Sequence, residues 1–258
     1  DHGISVKLDL PGVGRNLQDH PTVVLKYACT QSMAIHRAFD PFNQFFAGAQ
    51  WLLTQRGPAA SIFWEAGGLI RSSHRVNYPD IEIQFGPAGI NFLDNGSISL
   101  DQAFSIHVDQ SRPTSVGYIN LRSSNPTDKP MLFFNYLETE DDRRRFIQGI
   151  RKTRAIIAQR AFDRYRGKEI YPGPEVTTDS DILNYIKASV STDYHPSCSC
   201  KMGTDSSAVV DQEMRVHGIN RLRVVDASVM PRITSANLNA PVQMIAARAA
   251  DFILDKQQ

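Results

Sequence analysis

The sequence predicts an α+β protein in which a sheet packs against helices. The chain has 258 residues, 41% of them hydrophobic and 21% charged, which is enough for one large or two modest domains with a buried core. Strand-like runs are concentrated in its middle, between residues 80 and 136. From Asp142 onward the apolar residues recur at helical spacing. We therefore expect helices that cover a central sheet.

The first part of the chain predicts a turn, a strand and a helix, in that order. Leu10–Gly14 is punctuated by glycine and proline and leads into the polar segment Asn16–Pro21. The run Val23–Cys29 has the composition of a strand. Asp40-Pro41 then predicts an N-cap followed by proline in the first helical turn, and Gly57-Pro58 ends that helix.

The remainder predicts four strands, two helices and a closing strand-loop-helix unit. The four strands are Asp80–Phe85, Phe104–Val108, Tyr118–Arg122 and Met131–Tyr136. One helix runs from Asp142 with Phe146, Ile150, Thr153, Ile157 and Ala161 on one face, and another begins near Asp179. The closing unit comprises the apolar strand Leu222–Val225, a loop, and a helix capped by Asn239.

Composition argues against several classes of partner. Lys plus Arg (28) nearly cancels Asp plus Glu (27), and Arg143–Arg145 follows acidic residues, so we expect no basic cluster and no nucleic-acid partner. Three cysteines cannot form a disulfide framework in this length, which favours the cytoplasm. No run approaches the roughly 18 apolar residues of a membrane span, and no charged-then-apolar leader opens the chain. The chain starts at Asp1 without an initiator Met, in sequence that resembles the middle of a domain, so we expect a piece of a longer protein.

The segment Tyr194–Gly203 contains the first candidate for chemistry, His195. A histidine before a proline-fixed turn can be held rigidly, and its neutral imidazole can accept a proton from an alcohol near neutral pH. The alternative is that His195 only satisfies backbone groups in a turn. We also considered zinc bound by His195, Cys198, Cys200 and His217. A single residue between the two cysteines is too tight for zinc and does not match the redox motif, so no metal is expected.

The segment from Leu222 to Pro241 contains the second candidate. Asp226 follows the predicted strand, Asn237 and Asn239 lie in the next loop, and a helix then begins whose free N–H groups favour electron-rich ligand atoms. The alternative is that Asp226 only ends a strand and that Asn239 is only a helix cap.

Taken together, these segments resemble a known family. YHPSCSCKMG, followed by VVDQEMRVHGINRLRVVDASVMPRITSANLNAP and a closing helix, is similar to the C-terminal signature of the glucose-methanol-choline (GMC) flavoprotein oxidoreductases. LPGVGRNLQDHP resembles that family's loop against the flavin. FWEAGGLIRSS, FNYLETEDDRRRFIQGIRKTRAII and RYRGKEIYPGPE resemble its choline dehydrogenase members in particular.

The resemblance implies a fold and an activity. The fold would be an antiparallel-sheet substrate domain at 26–190, flanked at 1–25 and 191–258 by parts of an FAD-binding α/β domain whose N-terminal Rossmann part is missing. The activity would be FAD-dependent oxidation of a choline-like primary alcohol to the aldehyde, by proton abstraction and hydride transfer to the flavin. His195 would be the base, and Asn237 would hydrogen-bond the alkoxide oxygen.

The resemblance also implies which residues bind the cofactor and the substrate. Asp226 and Ala227 would contact the ribityl chain and pyrophosphate, and Asn16 would lie against the flavin. The helix start at Asn239, near Val242, would face the pyrimidine edge together with Asn237. Glu65 would face a quaternary ammonium group and Trp64 would add a cation–π contact, although adjacent residues of one strand point in opposite directions.

The implied partners are an alcohol, an electron acceptor that is either a quinone or O₂, and the N-terminal FAD-binding half of the same protein. The location would be the cytoplasm or the periphery of the inner membrane. The sequence departs from the family at Ser197–Ser199, where Gly-Thr is common, and it lacks the glycine-rich fingerprint. We therefore expect weak FAD binding by this chain alone. Another alcohol oxidase or dehydrogenase, a hydroxynitrile lyase, a fatty-acid photodecarboxylase and a non-catalytic subunit remain alternatives.

Overall fold

The computed structural model describes residues 2–32, 34–37, 40–92 and 98–254. The chain divides into two compact units, which are described separately. We call Thr22–Gln110 with Arg144–Ser191 the sheet unit, and Asp1–Pro21 with Ser111–Arg143 and Thr192–Gln258 the loop unit. The sequence assigned 26–190 to one domain, whereas this division places Ser111–Arg143 with the terminal segments. The functional assignment of the domains stays a prediction.

Within the described residues, the regular elements are ten strands and four α-helices. In chain order they are β1 (Pro21–Cys29), α1 (Pro41–Thr54), β2 (Ala66–Ile70), β3 (Ile81–Gly86), β4 (Gly89–Phe92), β5 (Ile98–Asp101), β6 (Ala103–Gln110), β7 (Tyr118–Asn120), β8 (Met131–Phe133), α2 (Glu140–Ile157), β9 (Arg166–Tyr171), α3 (Asp179–Ser189), β10 (Ser191–Thr192) and α4 (Asn239–Ile253).

An antiparallel sheet forms the sheet unit. Its strand order is β10-β1-β6-β3-β2, and β9 also pairs with β1. The pairs β1–β6, β3–β6 and β2–β3 are all antiparallel. The strand β6 is buried along nearly its whole length, as expected for a central strand covered on both faces. The predicted α+β class with an antiparallel sheet is therefore confirmed.

Helix α2 packs closely on this sheet at Gly149. A Cβ atom at Gly149 would lie 3.1 Å from Ile81 Cδ1 and 3.2 Å from Val108 Cγ1, so a larger residue would push the helix from the sheet. Phe146 and Ile150, on the predicted apolar face of α2, are fully buried. This burial supplies most of the stability of such a helix, because an exposed helix of this length is only marginally stable alone.

Helix α1 forms where the sequence predicts it, but it buries none of its residues. The Asp40 carboxylate accepts hydrogen bonds from Phe42 N–H (3.0 Å) and Asn43 N–H (3.3 Å), which confirms the predicted N-cap. Phe45 is 71% exposed and Leu53 is 85% exposed. None of the described helices has both the length and the apolar composition needed to cross a bilayer.

The sheet unit also contains a basic cavity that the sequence did not predict. The cavity has a volume of about 580 Å³, and Ser72–Val76 line it opposite residues of α2, among them Arg144 and Lys152. His74 and Arg75 add further basic side chains. The expectation that the chain has no basic cluster was therefore wrong, because the fold brings together groups about 70 positions apart in sequence.

The loop unit packs around a core of apolar side chains contributed by residues 198–249. Cys198, Val210, Val229, Ile233 and Ile245 belong to this core and are nearly inaccessible to solvent. A short 3-10 helix, Ala227–Val229, lies beside the segment that follows His195. Backbone N–H groups of that segment donate to carbonyl groups of the 3-10 helix: Cys198 to Ala227 (3.2 Å), Cys200 to Ser228 (2.8 Å) and Met202 to Val229 (2.8 Å).

Two local predictions in the loop unit were wrong. Leu222–Val225 is not a strand, because Arg223 forms only an isolated bridge with Arg215. Asn239 is not the N-cap of α4: the N-cap is Leu238, which makes no side-chain capping bond. An N-cap side chain accepts from the second or third residue after it. Pro241 has no N–H, and the N–H of Val242 already donates to Leu238 O (2.9 Å).

Candidate active site

A short polar segment, Gln18–His20, is the hub of the candidate site. Gln18, Asp19 and His20 are 8%, 3% and 1% exposed. Such burial of polar groups is stable only if they are hydrogen-bonded. The segment is fixed on two sides, by bridges that join Leu17 to Gly117 and Gln18 to Ser197.

The backbone around His195 is held by this hub. The His195 N–H donates to Asp19 Oδ1 at 3.0 Å. Two residues later, Ser197 and Gln18 exchange backbone hydrogen bonds of 2.8 and 3.0 Å. Tyr194 takes a positive φ of 61° just before His195, which turns the chain sharply. The backbone on both sides of His195 is therefore fixed by hydrogen bonds to Gln18 and Asp19.

The imidazole of His195 is engaged through one nitrogen only. Its Nδ1 lies 3.0 Å from His20 Nδ1 and 3.2 Å from Asp193 Oδ2. The two rings meet edge to face, with centroids 5.0 Å apart. The side chain is 14% exposed, and Nε2 has no hydrogen-bond partner among the described residues. His195 therefore offers a partly accessible nitrogen on an otherwise fixed ring.

His20 connects His195 to the loop that precedes Asn237. Its Nε2 lies 2.9 Å from the carbonyl oxygen of Thr234. Burial is the main reason that the pKa of His20 is lowered below its ordinary value; the charge on His195 also lowers it, whereas the bond to Thr234 opposes the shift. His20 is therefore a predominantly neutral imidazole at neutral pH.

The carboxylate of Asp19 links a tyrosine to the same loop. Tyr136 donates its hydroxyl hydrogen to Asp19 Oδ2, while Asp19 Oδ1 accepts the His195 N–H. Burial and the neighbouring Asp19 raise the pKa of Tyr136 well above its ordinary value. Tyr136 thus stays a hydrogen-bond donor over the physiological pH range and orients the carboxylate.

Asn16 and Gln18 tie the loop before Asn237 to the hub. Asn16 Nδ2 donates to the carbonyl oxygens of Cys198 (3.3 Å) and Pro231 (3.2 Å). Gln18 Oε1 accepts the N–H of Ile233 at 3.2 Å. Asn16 therefore crosslinks the two loops that the sequence singled out.

Asn237 follows this tethered segment, and its side chain is exposed. In the described part of the chain its amide has no hydrogen-bond partner, and no hydrogen bond joins it to His195. The structure thus brings the backbone segments of both predicted catalytic residues to His20 without direct contact between their polar groups.

The start of α4 fits one edge of a flavin. Among the described residues, the N–H groups of Asn239 and Ala240 have no acceptor, because Leu238 provides no capping side chain. Asn239 Oδ1 instead accepts from Gln243 Nε2 at 3.0 Å. Open N–H groups at a helix start suit electron-rich oxygens such as the pyrimidine carbonyls of an isoalloxazine.

The structure assigns Asp226 and Ala227 to local hydrogen bonding. Asp226 Oδ1 accepts from Ser228 N–H at 2.8 Å and caps the 3-10 helix. The Ala227 carbonyl accepts the N–H of Cys198. Asp226 is exposed and does not end a buried strand, so any role of its remaining carboxylate oxygen at the ribityl chain is a prediction.

The two predicted substrate contacts lie in the sheet unit, immediately before β2. The Trp64 ring packs edge-on against His107, with centroids 4.4 Å apart, and against Phe63 at 4.9 Å. Glu65 is exposed, and within the described ranges its carboxylate has no partner. Neither residue is in a strand, so the expectation of opposite faces, which assumed a strand, does not apply here.

Three of the four residues weighed as zinc ligands, His195, Cys198 and His217, have other side-chain partners. Burial raises the pKa of the Cys198 thiol to about 11, and its Sγ donates to Ser197 Oγ at 3.4 Å. His217 Nε2 lies 3.0 Å from the Gly203 carbonyl oxygen. A thiol with a raised pKa is a poor metal ligand, because binding requires the thiolate.

Sequence reasoning missed four residues of the site: Gln18, Asp19, His20 and Tyr136. A signal existed for three of them, because a run of three polar residues directly before Pro21 and the buried strand β1 is unusual for a solvated turn. Nothing in the sequence indicated Tyr136, which is separated from Asp19 by 117 positions.

Comparison with known proteins identifies the family of the chain. The family model described as GMC oxidoreductase matches residues 113–246, more than half of the chain. The chain is 49% identical to an oxygen-dependent choline dehydrogenase of Pseudomonas fluorescens (strain SBW25), over 98% of this chain and 45% of the relative. A relative of the same name from Vibrio vulnificus (strain YJ016) is 45% identical over 99% of this chain and 46% of the relative.

Solved structures show the same fold. Pyridoxine 4-oxidase from Mesorbium loti superposes with a TM-score of 0.80 at 26% identity, over 100% of this chain and 46% of that one. A formate oxidase superposes with a TM-score of 0.86 at 23% identity, over 99% and 49%. This chain therefore spans about half the length of the proteins it matches. The chain belongs to the GMC oxidoreductase family.

Proposed function

We propose that this chain supplies the proton-handling half of an FAD-dependent oxidoreductase that converts a choline-like primary alcohol to its aldehyde. The other half would be an FAD-binding segment of the same protein, and the relative from Pseudomonas fluorescens is long enough to include one, because this chain covers 45% of it. The observation that carries the proposal is the fixed imidazole of His195, whose Nδ1 is engaged by His20 and Asp193 while Nε2 is left for substrate.

Each of the two predicted catalytic residues has a defined task. His195 Nε2 accepts the hydroxyl proton of the alcohol, and Asp193, with its Oδ2 3.2 Å from Nδ1, stabilises the imidazolium that results. The free amide of Asn237 donates a hydrogen bond to the alkoxide oxygen. Bound FAD supplies the hydride acceptor. The alcohol's carbon–hydrogen bond breaks with its electron pair, so loss of one proton and one hydride leaves the aldehyde.

The cofactor would be held by residues at the edges of this loop cluster. The open N–H groups of Asn239 and Ala240 would donate to the pyrimidine edge, near Val242. Asp226 and Ala227 would contact the ribityl and pyrophosphate groups, and Asn16 would fix the loop against the flavin through its bonds to Cys198 and Pro231. The names of the closely related dehydrogenases support O₂ as the electron acceptor over a quinone.

Substrate selection would rest on Glu65 and Trp64. Glu65 keeps an exposed carboxylate that no described residue neutralises, which suits a quaternary ammonium group. Trp64 presents an aromatic surface for a cation–π contact of about 0.5–2 kcal/mol.

The proposal is tested by mixing the holoenzyme with choline under anaerobic conditions and following the flavin's visible absorbance. We expect choline to bleach the flavin, and His195→Ala to slow the bleaching by roughly 10²–10⁴-fold, as expected for loss of a general base. His217→Ala is the control, because it removes a half-buried histidine whose ring contacts a backbone carbonyl and which has no part in the proposed chemistry. Near-normal reduction in His195→Ala would remove His195 from the chemistry. Absence of bleaching by any alcohol would refute the dehydrogenase assignment.

A further inference from the structure

The contact between the rings of His20 and His195 limits which ring nitrogens can carry hydrogen. Two imidazole Nδ1 atoms 3.0 Å apart can form a hydrogen bond only if one of them carries hydrogen and the other presents a lone pair. Which atom is the donor decides whether His195 Nε2 can act as a base, because a neutral imidazole has one N–H and one lone pair.

The contact between His20 Nε2 and the Thr234 carbonyl oxygen shows which of the two Nδ1 atoms carries the hydrogen. A backbone carbonyl accepts hydrogen bonds and cannot donate, so His20 Nε2, 2.9 Å from Thr234 O, carries the hydrogen. Because His20 is 1% exposed, burial disfavours its charged form. Besides His195, the titratable groups that act on it are Asp19 and Asp193. A neutral His20 with hydrogen on Nε2 presents a lone pair on Nδ1.

The donor in the pair is therefore His195 Nδ1–H. Asp193 Oδ2, 3.2 Å from the same nitrogen, is a second and longer contact that favours the same placement of hydrogen. The lone pair of neutral His195 is then on Nε2, the nitrogen that no described residue engages.

We propose that His20 is a positioning residue that fixes the tautomer of His195. The Thr234 carbonyl holds the hydrogen of His20 on Nε2, so His20 Nδ1 accepts the Nδ1–H of His195, and Nε2 of His195 is left unprotonated and available as the base. This inference rests on the proposed function for its catalytic meaning, but the tautomer itself is a property of the resting protein.

The test is ¹⁵N NMR of histidine-labelled holoenzyme near pH 8, with no substrate. The nitrogen resonances of His195 are assigned among the seven histidines by their loss in His195→Asn. We expect a protonated Nδ1 and an unprotonated Nε2 on His195, and the reverse on His20. A protonated Nε2 on His195 in the wild-type protein would overturn the proposal, whatever the enzyme oxidises.

Two variants separate positioning from simple structural support. His20→Phe keeps a buried ring but has no acceptor, so we expect a mixed tautomer at His195 and a kcat lowered about 10- to 100-fold with little change in KM. Loss of an orienting partner costs up to ~10⁴-fold where no second acceptor exists, and here Asp193 remains. His20→Gln offers an amide acceptor and donor, so it should recover the wild-type tautomer and part of kcat.

His217→Phe is the control, since it removes a histidine that bonds a carbonyl but contacts no second imidazole in the described part of the chain. If His20→Phe and His217→Phe leave the His195 resonances and kcat equally unchanged, His20 has no positioning role. If His20→Phe does not fold, the wild-type spectrum still shows the tautomer of His195, and His20→Gln still shows whether an acceptor at position 20 maintains it. An enzyme that oxidises no alcohol but shows the expected resonances would contradict the proposed function and retain the tautomer assignment.

Discussion

Replacing Tyr136 by phenylalanine removes one hydroxyl group from the network that orients His195. That hydroxyl donates to Asp19 Oδ2, and the other oxygen of the same carboxylate accepts the His195 N–H at 3.0 Å. Asp19 is 3% exposed, so water cannot readily replace the lost donor. A hydrogen bond to a charged group contributes about 1.5–3 kcal/mol. We expect the free energy of unfolding of Tyr136→Phe to fall by that amount at pH 8.

The loss of unfolding free energy in Tyr136→Phe should depend on pH, and the raised pKa of Tyr136 determines the direction of that dependence. Burial and Asp19 raise this pKa above its ordinary value of 10.0 in the folded protein. Below pH 10 both states are protonated and the contribution is complete. Above pH 10 the unfolded chain loses the proton that the folded chain keeps, so the contribution of Tyr136 declines as pH rises towards the folded pKa. At pH 10.5 the loss is about 0.8 kcal/mol, from an unfolded pKa near 10.

The assay is urea-induced unfolding of the holoenzyme at pH 8 and pH 10.5, for the wild-type protein and Tyr136→Phe. The control is Tyr194→Phe, whose side chain is 84% exposed and whose loss should cost less than about 0.5 kcal/mol. The gap between the wild-type protein and Tyr136→Phe should narrow at the higher pH. The reasoning is refuted if Tyr136→Phe behaves like Tyr194→Phe at pH 8, or if the gap stays constant.

Three further predictions concern catalysis, substrate selection and stability. Asn237→Ala should lower kcat by about 10²–10³-fold, as for other donors to a developing oxyanion; flavin reduction as fast as in the wild-type enzyme contradicts this. Glu65→Gln should raise KM for choline about five-fold, equivalent to ~1 kcal/mol. KM for the neutral isostere 3,3-dimethylbutan-1-ol should stay unchanged, and equal changes in steady-state KM for both alcohols would exclude a charge contact. Asp142→Ala removes a carboxylate, 1% exposed, that accepts N–H and O–H bonds from Thr114 and Ser115. Asp142→Ala should lower the free energy of unfolding in urea by about 3–5 kcal/mol. The control Glu138→Ala, at an exposed position, should lower it by less than about 0.5 kcal/mol. Similar unfolding midpoints for both variants would contradict a stabilising role of the Asp142 carboxylate.

The sequence predicted those elements whose signals are local. Helix α1 begins at Asp40-Pro41, and the buried face of α2 follows the apolar spacing from Phe146 to Ile157, because capping and helical periodicity are read within a few residues. The sequence did not predict the bounds of the short strands β2 and β9, since AGGLI and RGKEIY have no apolar–polar alternation and only one β-branched residue each. Their pairing partners, β3 and β1, make them strands.

The sequence by itself also determined the family and singled out the two loops that bear His195 and Asn237, because the family resemblance lies in short motifs that are read locally. Only the tertiary structure decided what surrounds them. Asp19, His20 and Tyr136 act on His195 across separations of 176, 175 and, through Asp19, 117 positions. No local pattern specifies such contacts, since they arise when distant segments pack and the buried polar groups must find one another.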